Sequence, residues 1–157
     1  MAAKSYSLDF GGYWREPNVA GLPAVSGVYG VYACTYDLRE KAVSLRRLLY
    51  IGEAADIRNR VTCHERWNDW QRAREAGEEL CFNAAAIGPQ DDRERAEAAM
   101  IHEHKPPLNI EFMRTFPYDV TVVATTGRNA LMKAMFAVYP TQALGRDLLT
   151  GGLGQRW

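Results

Sequence analysis

Between residues 47 and 64 the chain reads RLLYIGEAADIRNRVTCH, which sets Tyr50, Arg60 and His64 close together. A phenol, a guanidinium fork and an imidazole can between them hold an anion and exchange protons. Arg60 and His64 lie four residues apart, so they share a face if one helix carries both. Further on, residues 97, 100, 101 and 104 have the spacing of a single helix face. Met100 and Ile101 make that face apolar, yet Glu97 lies on the same stripe. A carboxylate turned toward a core is costly unless it is paired, protonated or bound to a cation. After it, KPPLN at 105–109 forces an extended exit that returns Asn109 toward the fold, where its amide can pin a loop. Taken singly, each residue has an ordinary reading: Glu97 at a helix rim, Asn109 in a turn, His64 on a surface helix.

The elements that must position these groups follow from local pattern. Residues 27–34 (GVYGVYAC) and 46–52 (RRLLYIG) are rich in β-branched and aromatic residues and read as neighbouring strands. One connection, residues 35–45, suggests an antiparallel pair. Asp56 can cap a helix running through Arg60. Residues 64–77 read as a helix stopped at Gly77, and residues 79–88 as a third strand. Residues 89–107 form the strongest helix signal, with Pro89 at its start, acids in its first turn and Pro106-Pro107 at its end. Residues 118–126 then read as a strand and 129–139 as a helix. The N-terminal 1–26 reads as an irregular arm, and the tail 151–157 as mobile.

Composition bounds the answer further. The 157 residues suit one domain with a real core, and 47% are apolar. There is no apolar run long enough for a membrane span and no secretory h-region, so the expectation is a cytoplasmic protein. Three widely spaced cysteines, Cys34, Cys63 and Cys81, read as small buried hydrophobes in a reducing compartment. Net charge is zero, but residues 39–74 carry nine Lys/Arg against five Asp/Glu, and residues 75–111 three against nine. A polyanionic partner would meet the first stretch.

In order along the chain stand GVY at 27–29, YIG at 50–52, Arg60, His64, Glu97 and PPLN ending at Asn109. This ordered set resembles the GIY-YIG endonuclease superfamily, with Val28 in place of isoleucine. The arginine falls ten residues after Tyr50, the histidine four after the arginine, and the glutamate twelve before the asparagine. The resemblance covers residues 27–112 and implies a mixed α/β fold: a small three-stranded antiparallel sheet flanked by helices. Residues 1–26 and 113–157 would be an N-terminal arm and a C-terminal strand-helix extension of one compact domain.

It also implies hydrolysis of phosphodiester bonds in DNA. Glu97 would hold one divalent ion, Mg²⁺ or Mn²⁺, and Arg60 would contact the scissile phosphate. Tyr29 would activate water, with His64 as its proton acceptor or the ion and Arg60 lowering its pKa. Tyr50 would orient water or phosphate, and Asn109 would hold the architecture. Arg58, Arg66, Arg72 and Arg74 are candidate nucleic-acid contacts. Trp67 and Trp70, at i and i+3, read as core or as platforms for a base. Two features depart from the pattern: the long 35–45 connection, and Glu53 after YIG, which would repel phosphate or help hold a cation. An RNA endonuclease and a catalytically silent nucleic-acid-binding module are the competing functions. With no separate DNA-binding domain apparent, specificity would come from the extensions, a partner protein or a homodimer.

Overall fold

The structure is a computed structural model that describes residues 2–141. Its strands are β1 (Lys4–Arg15), β2 (Gly27–Asp37), β3 (Ala42–Ala54), β4 (Glu79–Ala86), β5 (Thr121–Gly127) and β6 (Met135–Val138). The helices are α1 (Ile57–Thr62), α2 (Trp67–Arg72) and α3 (Gln90–His104), with a 3₁₀ turn at Glu16–Gly21. The strands form one six-stranded mixed sheet in the order β3-β2-β4-β1-β5-β6, curled into a half-barrel. The small three-stranded sheet flanked by helices is thereby corrected.

The correction begins in the segment read as an irregular arm. Tyr6, Leu8 and Phe10 alternate with Ser5, Ser7 and Asp9, which is a strand period. Residues Lys4–Phe10 pair in parallel with β5, and Gly11–Arg15 pair antiparallel with β4. One strand therefore serves two neighbours, and it changes neighbour at Gly11-Gly12. Gly12 has φ +139, and a Cβ there would lie 3.1 Å from the Phe82 carbonyl oxygen, so the bend requires glycine.

The predicted C-terminal helix at 129–139 is also absent. Met135–Val138 instead pairs with β5. Residues 129–132 are held as a turn: Asn129 bonds to Thr125, the Asn83 amide donates to the Arg128 carbonyl, and Tyr32 donates to the Ala130 carbonyl. Tertiary hydrogen bonds override helix propensity there. The helix read over 64–77 shrinks to Trp67–Arg72. The tail 151–157 lies outside the described residues. No helix among the described residues is long and apolar enough to cross a membrane.

Both faces of the sheet are covered. On one, α3 packs Ala96, Ala99, Met100 and Ile101 against Leu8, Phe10, Val28, Ile51, Val123 and Phe136. On the other lie Leu22, Tyr29, Val31, Leu49, Ile57, Val61, Trp70 and Phe82. Val28 and Tyr29 thus point to opposite layers, as the two-residue period demands. Cys34 and Cys81 are buried as expected, while Cys63 is exposed.

Because β1 supplies pairing for two strands and Leu8 and Phe10 to the core, deletion of residues 2–15 is expected to abolish cooperative unfolding. Urea denaturation monitored by circular dichroism measures this; a sharp transition retained by the truncated chain would contradict it.

Candidate functional site

The site forms at an open edge of the sheet, where β3 is the outermost strand. Tyr29 on β2 stands directly opposite Gly52 on β3. A Cβ at residue 52 would fall 2.3 Å from the Tyr29 hydroxyl oxygen. The glycine of YIG is therefore the space that the Tyr29 ring occupies. Asn109 fixes the residue between Tyr50 and Gly52: its Oδ1 accepts from the Ile51 N–H and its Nδ2 donates to the Ile51 carbonyl, each at 2.9 Å. The Leu108 N–H adds a bond to the Leu49 carbonyl at 3.0 Å. The segment after α3 thus docks on the free edge of β3 and satisfies it.

Asp56 caps α1 by accepting from the Asn59 N–H at 3.1 Å, as its sequence position predicts. The helix stops at Thr62, so Arg60 and His64 do not share a helix face. His64 lies in the following turn with its ring packed against Tyr50 and Trp70, at centroid distances of 5.5 and 4.5 Å. Tyr29 meets the ring edge-on at 6.5 Å.

Tyr50, Arg60, Arg66, Glu97 and Asn109 line one cleft of ≈ 350 Å³, joined by Glu65, Ile101, Ile110 and Glu111. Tyr29 and His64 pack behind this wall, only 1% and 6% exposed. The other candidates stand elsewhere. Arg58 donates to the Leu22 carbonyl, Arg72 pairs with Asp69, and Arg74 lines a separate hollow with Glu16 and Trp67. Trp70 is fully buried, and Trp67 stacks on Phe82 at 5.9 Å, so Trp70 has no face to offer a base.

The electrostatics separate the groups. Glu97, half-buried, has its pKa pushed up to about 8, first by desolvation and then by the Glu53 and Glu111 carboxylates. His64 is pushed down to about 4 by burial, then by the Arg60 charge. Its Nδ1 accepts from the Arg66 N–H at 2.9 Å, so in the neutral ring Nε2 carries the proton. That leaves His64 without a free acceptor nitrogen for a tyrosine proton, contrary to the sequence reading. Burial, then the neighbouring Tyr50, holds the Tyr29 hydroxyl well above the ordinary phenol range.

Glu53 is neutralised within the fold. Arg93, itself buried, donates to its carboxylate and to Ser26 Oγ. This pair ties the end of β3 to the start of α3. Sequence reasoning misses Arg93, Glu65 and Glu111. Arg93 follows from its helical register with Glu97, four residues apart, and Glu111 from its place beside Asn109. Among the described residues no cluster of three or more His, Cys, Asp or Glu could hold a metal. Of the carboxylates that line the cleft, Glu65 is engaged by Arg60, and Glu97 and Glu111 fit a hard divalent ion that keeps most of its ligands as water and phosphate.

Comparison with models of known families finds no match, and comparisons with curated proteins and with solved structures find none either. The functional reading rests on these residues.

The raised pKa of Glu97 has a defined sign. The folded state holds its proton more tightly than the unfolded chain, so this contribution to stability is full below pH 4.5 and lost as pH rises through about 8. Stability of the ion-free protein should fall across that window, and Glu97→Gln should flatten the fall. Divalent-ion affinity should rise roughly tenfold per pH unit until Glu97 ionises. Melting curves with and without Mn²⁺ from pH 6 to 9 measure both; a pH-independent Mn²⁺ effect would remove Glu97 as the ligand.

Proposed function

We propose that the chain is an endonuclease that hydrolyses phosphodiester bonds in DNA with a divalent ion, Mg²⁺ or Mn²⁺. The observation that carries this reading is the cleft itself. Two stretches far apart in sequence, 50–60 and 97–109, bring Tyr50, Arg60, Glu97 and Asn109 to one wall, and each residue has chemistry the reaction needs. Phosphodiester cleavage requires charge neutralisation at the phosphoryl oxygens, a deprotonated water and help for the leaving oxygen. A divalent ion at Glu97 supplies Lewis acidity to the phosphate and lowers the pKa of water.

The protein's own groups do the rest. Arg60 presents a planar fork to two phosphoryl oxygens, a contact lysine cannot reproduce. Tyr50, on the cleft wall, hydrogen-bonds water or phosphate. Tyr29 keeps its proton and acts as a donor, holding the position of the nucleophilic water beside the Gly52 backbone. His64 accepts from the Arg66 N–H at Nδ1 and so fixes the turn that carries Glu65 and Arg66. Asn109 sets the height of Tyr50 through Ile51. The Glu53 carboxylate faces phosphate as one half of an ion pair with Arg93, which weakens its repulsion.

Cleavage of matched DNA and RNA in Mg²⁺ tests the reading, with binding measured separately in Ca²⁺. Glu97→Gln should keep the fold and lose metal-dependent cutting. Arg60→Lys should lose on the order of 10²-fold in single-turnover rate. Tyr29→Phe should bind normally and cut slowly. His64→Ala should weaken the fold yet leave any pH dependence above pH 6 unmoved, since the ring titrates near 4. Wild-type rates from Glu97→Gln would defeat the assignment, and cleavage of RNA alone would move it to RNA.

A further inference from the structure

Arg60 already has an occupant. Its Nη1 and Nη2 donate to the two carboxylate oxygens of Glu65 at 2.6 and 2.9 Å. This is the fork-to-fork geometry in which a guanidinium meets a phosphate. Glu65 lies in the turn between α1 and α2, five residues after Arg60, so the pair closes over the end of α1. Both line the cleft with Glu97 and Tyr50.

The turn is pinned and the side chain is exposed. Beneath Glu65, Arg66 donates to Asp69 and to the Leu108 carbonyl, and the Arg66 N–H is held by His64. The Glu65 side chain is 65% exposed, and Arg60 41%. It can swing into solvent while the backbone stays in place. The other cleft cation, Arg66, is similarly engaged, so an incoming anion meets no unpaired guanidinium on this wall.

We propose that Glu65 is an internal occupant of the phosphate seat, a residue that sets how strongly an anionic substrate must compete for Arg60. The proposal rests on the reading of Arg60 as the phosphate contact. An exposed ion pair is weak, so a phosphate displaces Glu65 readily, and the carboxylate acts as a brake rather than a lock. The brake also discriminates. A lone anion that engages Arg60 only once competes poorly with a bidentate carboxylate, whereas a phosphodiester held at further points along the cleft competes well.

The test is a double-mutant cycle with two probes. Inorganic phosphate is titrated onto wild type, Glu65→Gln, Arg60→Ala and the double variant, following the side-chain and backbone NMR signals of residues 58–66. Glu65→Gln should bind phosphate about threefold to fivefold more tightly, a gain on the scale of an exposed pair. The gain should shrink with added salt and vanish in the Arg60→Ala background. No gain, or an equal gain without Arg60, would overturn the proposal, because the second result is general charge removal. A fluorescent single-stranded DNA in Ca²⁺ is the second probe. If no form binds DNA while the Arg60-dependent phosphate gain stands, Glu65 remains the occupant and the nuclease reading falls. If wild type binds DNA and the phosphate cycle shows no gain, the nuclease reading stands and the brake falls.

Discussion

The site depends on one amide. Asn109 is the two-point clamp on Ile51, and Ile51 is the residue that separates Tyr50 from Gly52 on an edge strand. An edge strand lacks one row of partners and can shift in register. Both Ile51 backbone groups face that open side, and Asn109 supplies a donor and an acceptor in the one arrangement that satisfies them. Loss of the clamp strands two buried backbone groups, each costing about 1–3 kcal/mol. The position of Tyr50 and the contact between Tyr29 and Gly52 follow from that bond pair. Pro106-Pro107 end α3 and deliver Asn109, so the helix that carries Glu97 and the strand that carries Tyr50 are set by the same few residues.

The cleft then sorts its charges by depth. Arg93 is buried, its partner Glu53 is half-buried and Arg93 also bonds to Ser26, so this pair is structural. Arg60–Glu65 and Arg72–Asp69 are exposed and exchangeable. Glu97 lies between these classes. Among the described residues no cation pairs with it, and Glu53 and Glu111 repel its charge. Its stable states are a protonated carboxyl or a carboxylate with a cation, which are two of the three alternatives that its place on an apolar helix stripe allows.

Much of this was legible in the sequence, and the failures have physical causes. The strands β4 and β5 and the helix α3 carry strong local patterns and lie close to where the pattern puts them, whereas β2 and β3 are longer than read, running to Asp37 and from Ala42, so the connection read over 35–45 is only the turn at 38–41. Asp56 caps α1 as its type and position require. The architecture was misjudged at its two ends. In β1 the Gly11-Gly12 pair and the following prolines masked a clear two-residue alternation, and a strand's neighbours are a long-range property that no local window carries. Residues 129–139 have helical propensity, but Asn83, Tyr32 and Asn129 hold them with hydrogen bonds made across the sheet. In the site, spacing identified the residues that converge, but not their bonding. Spacing alone leaves His64 open as a proton acceptor, whereas its Nδ1 is committed to the Arg66 N–H.

That commitment changes what a neutral chain can do with a polyanion. The positive stretch at 39–74 suggests a basic surface, yet four of its eight arginines are paired with carboxylates of the same or the following segment, Arg47 with Glu75 and Glu78, Arg60 with Glu65, Arg66 and Arg72 with Asp69, and both cleft arginines are among them. On the proposed reading, a nucleic acid approaching the cleft would meet two guanidiniums that already hold carboxylates, so steering at long range toward it would be weak. Binding must instead be won at contact, where phosphates replace carboxylates one pair at a time. Each exchange conserves the number of ion pairs and exposes a carboxylate to water, so its free energy is near zero for an exposed pair. On the proposed nuclease reading, net affinity would come from whatever the carboxylate cannot provide, and in this cleft that would be a second ligand for a cation at Glu97. On that reading, recognition of the backbone would be conditional on the ion, because the arginines alone gain little by trading one anion for another.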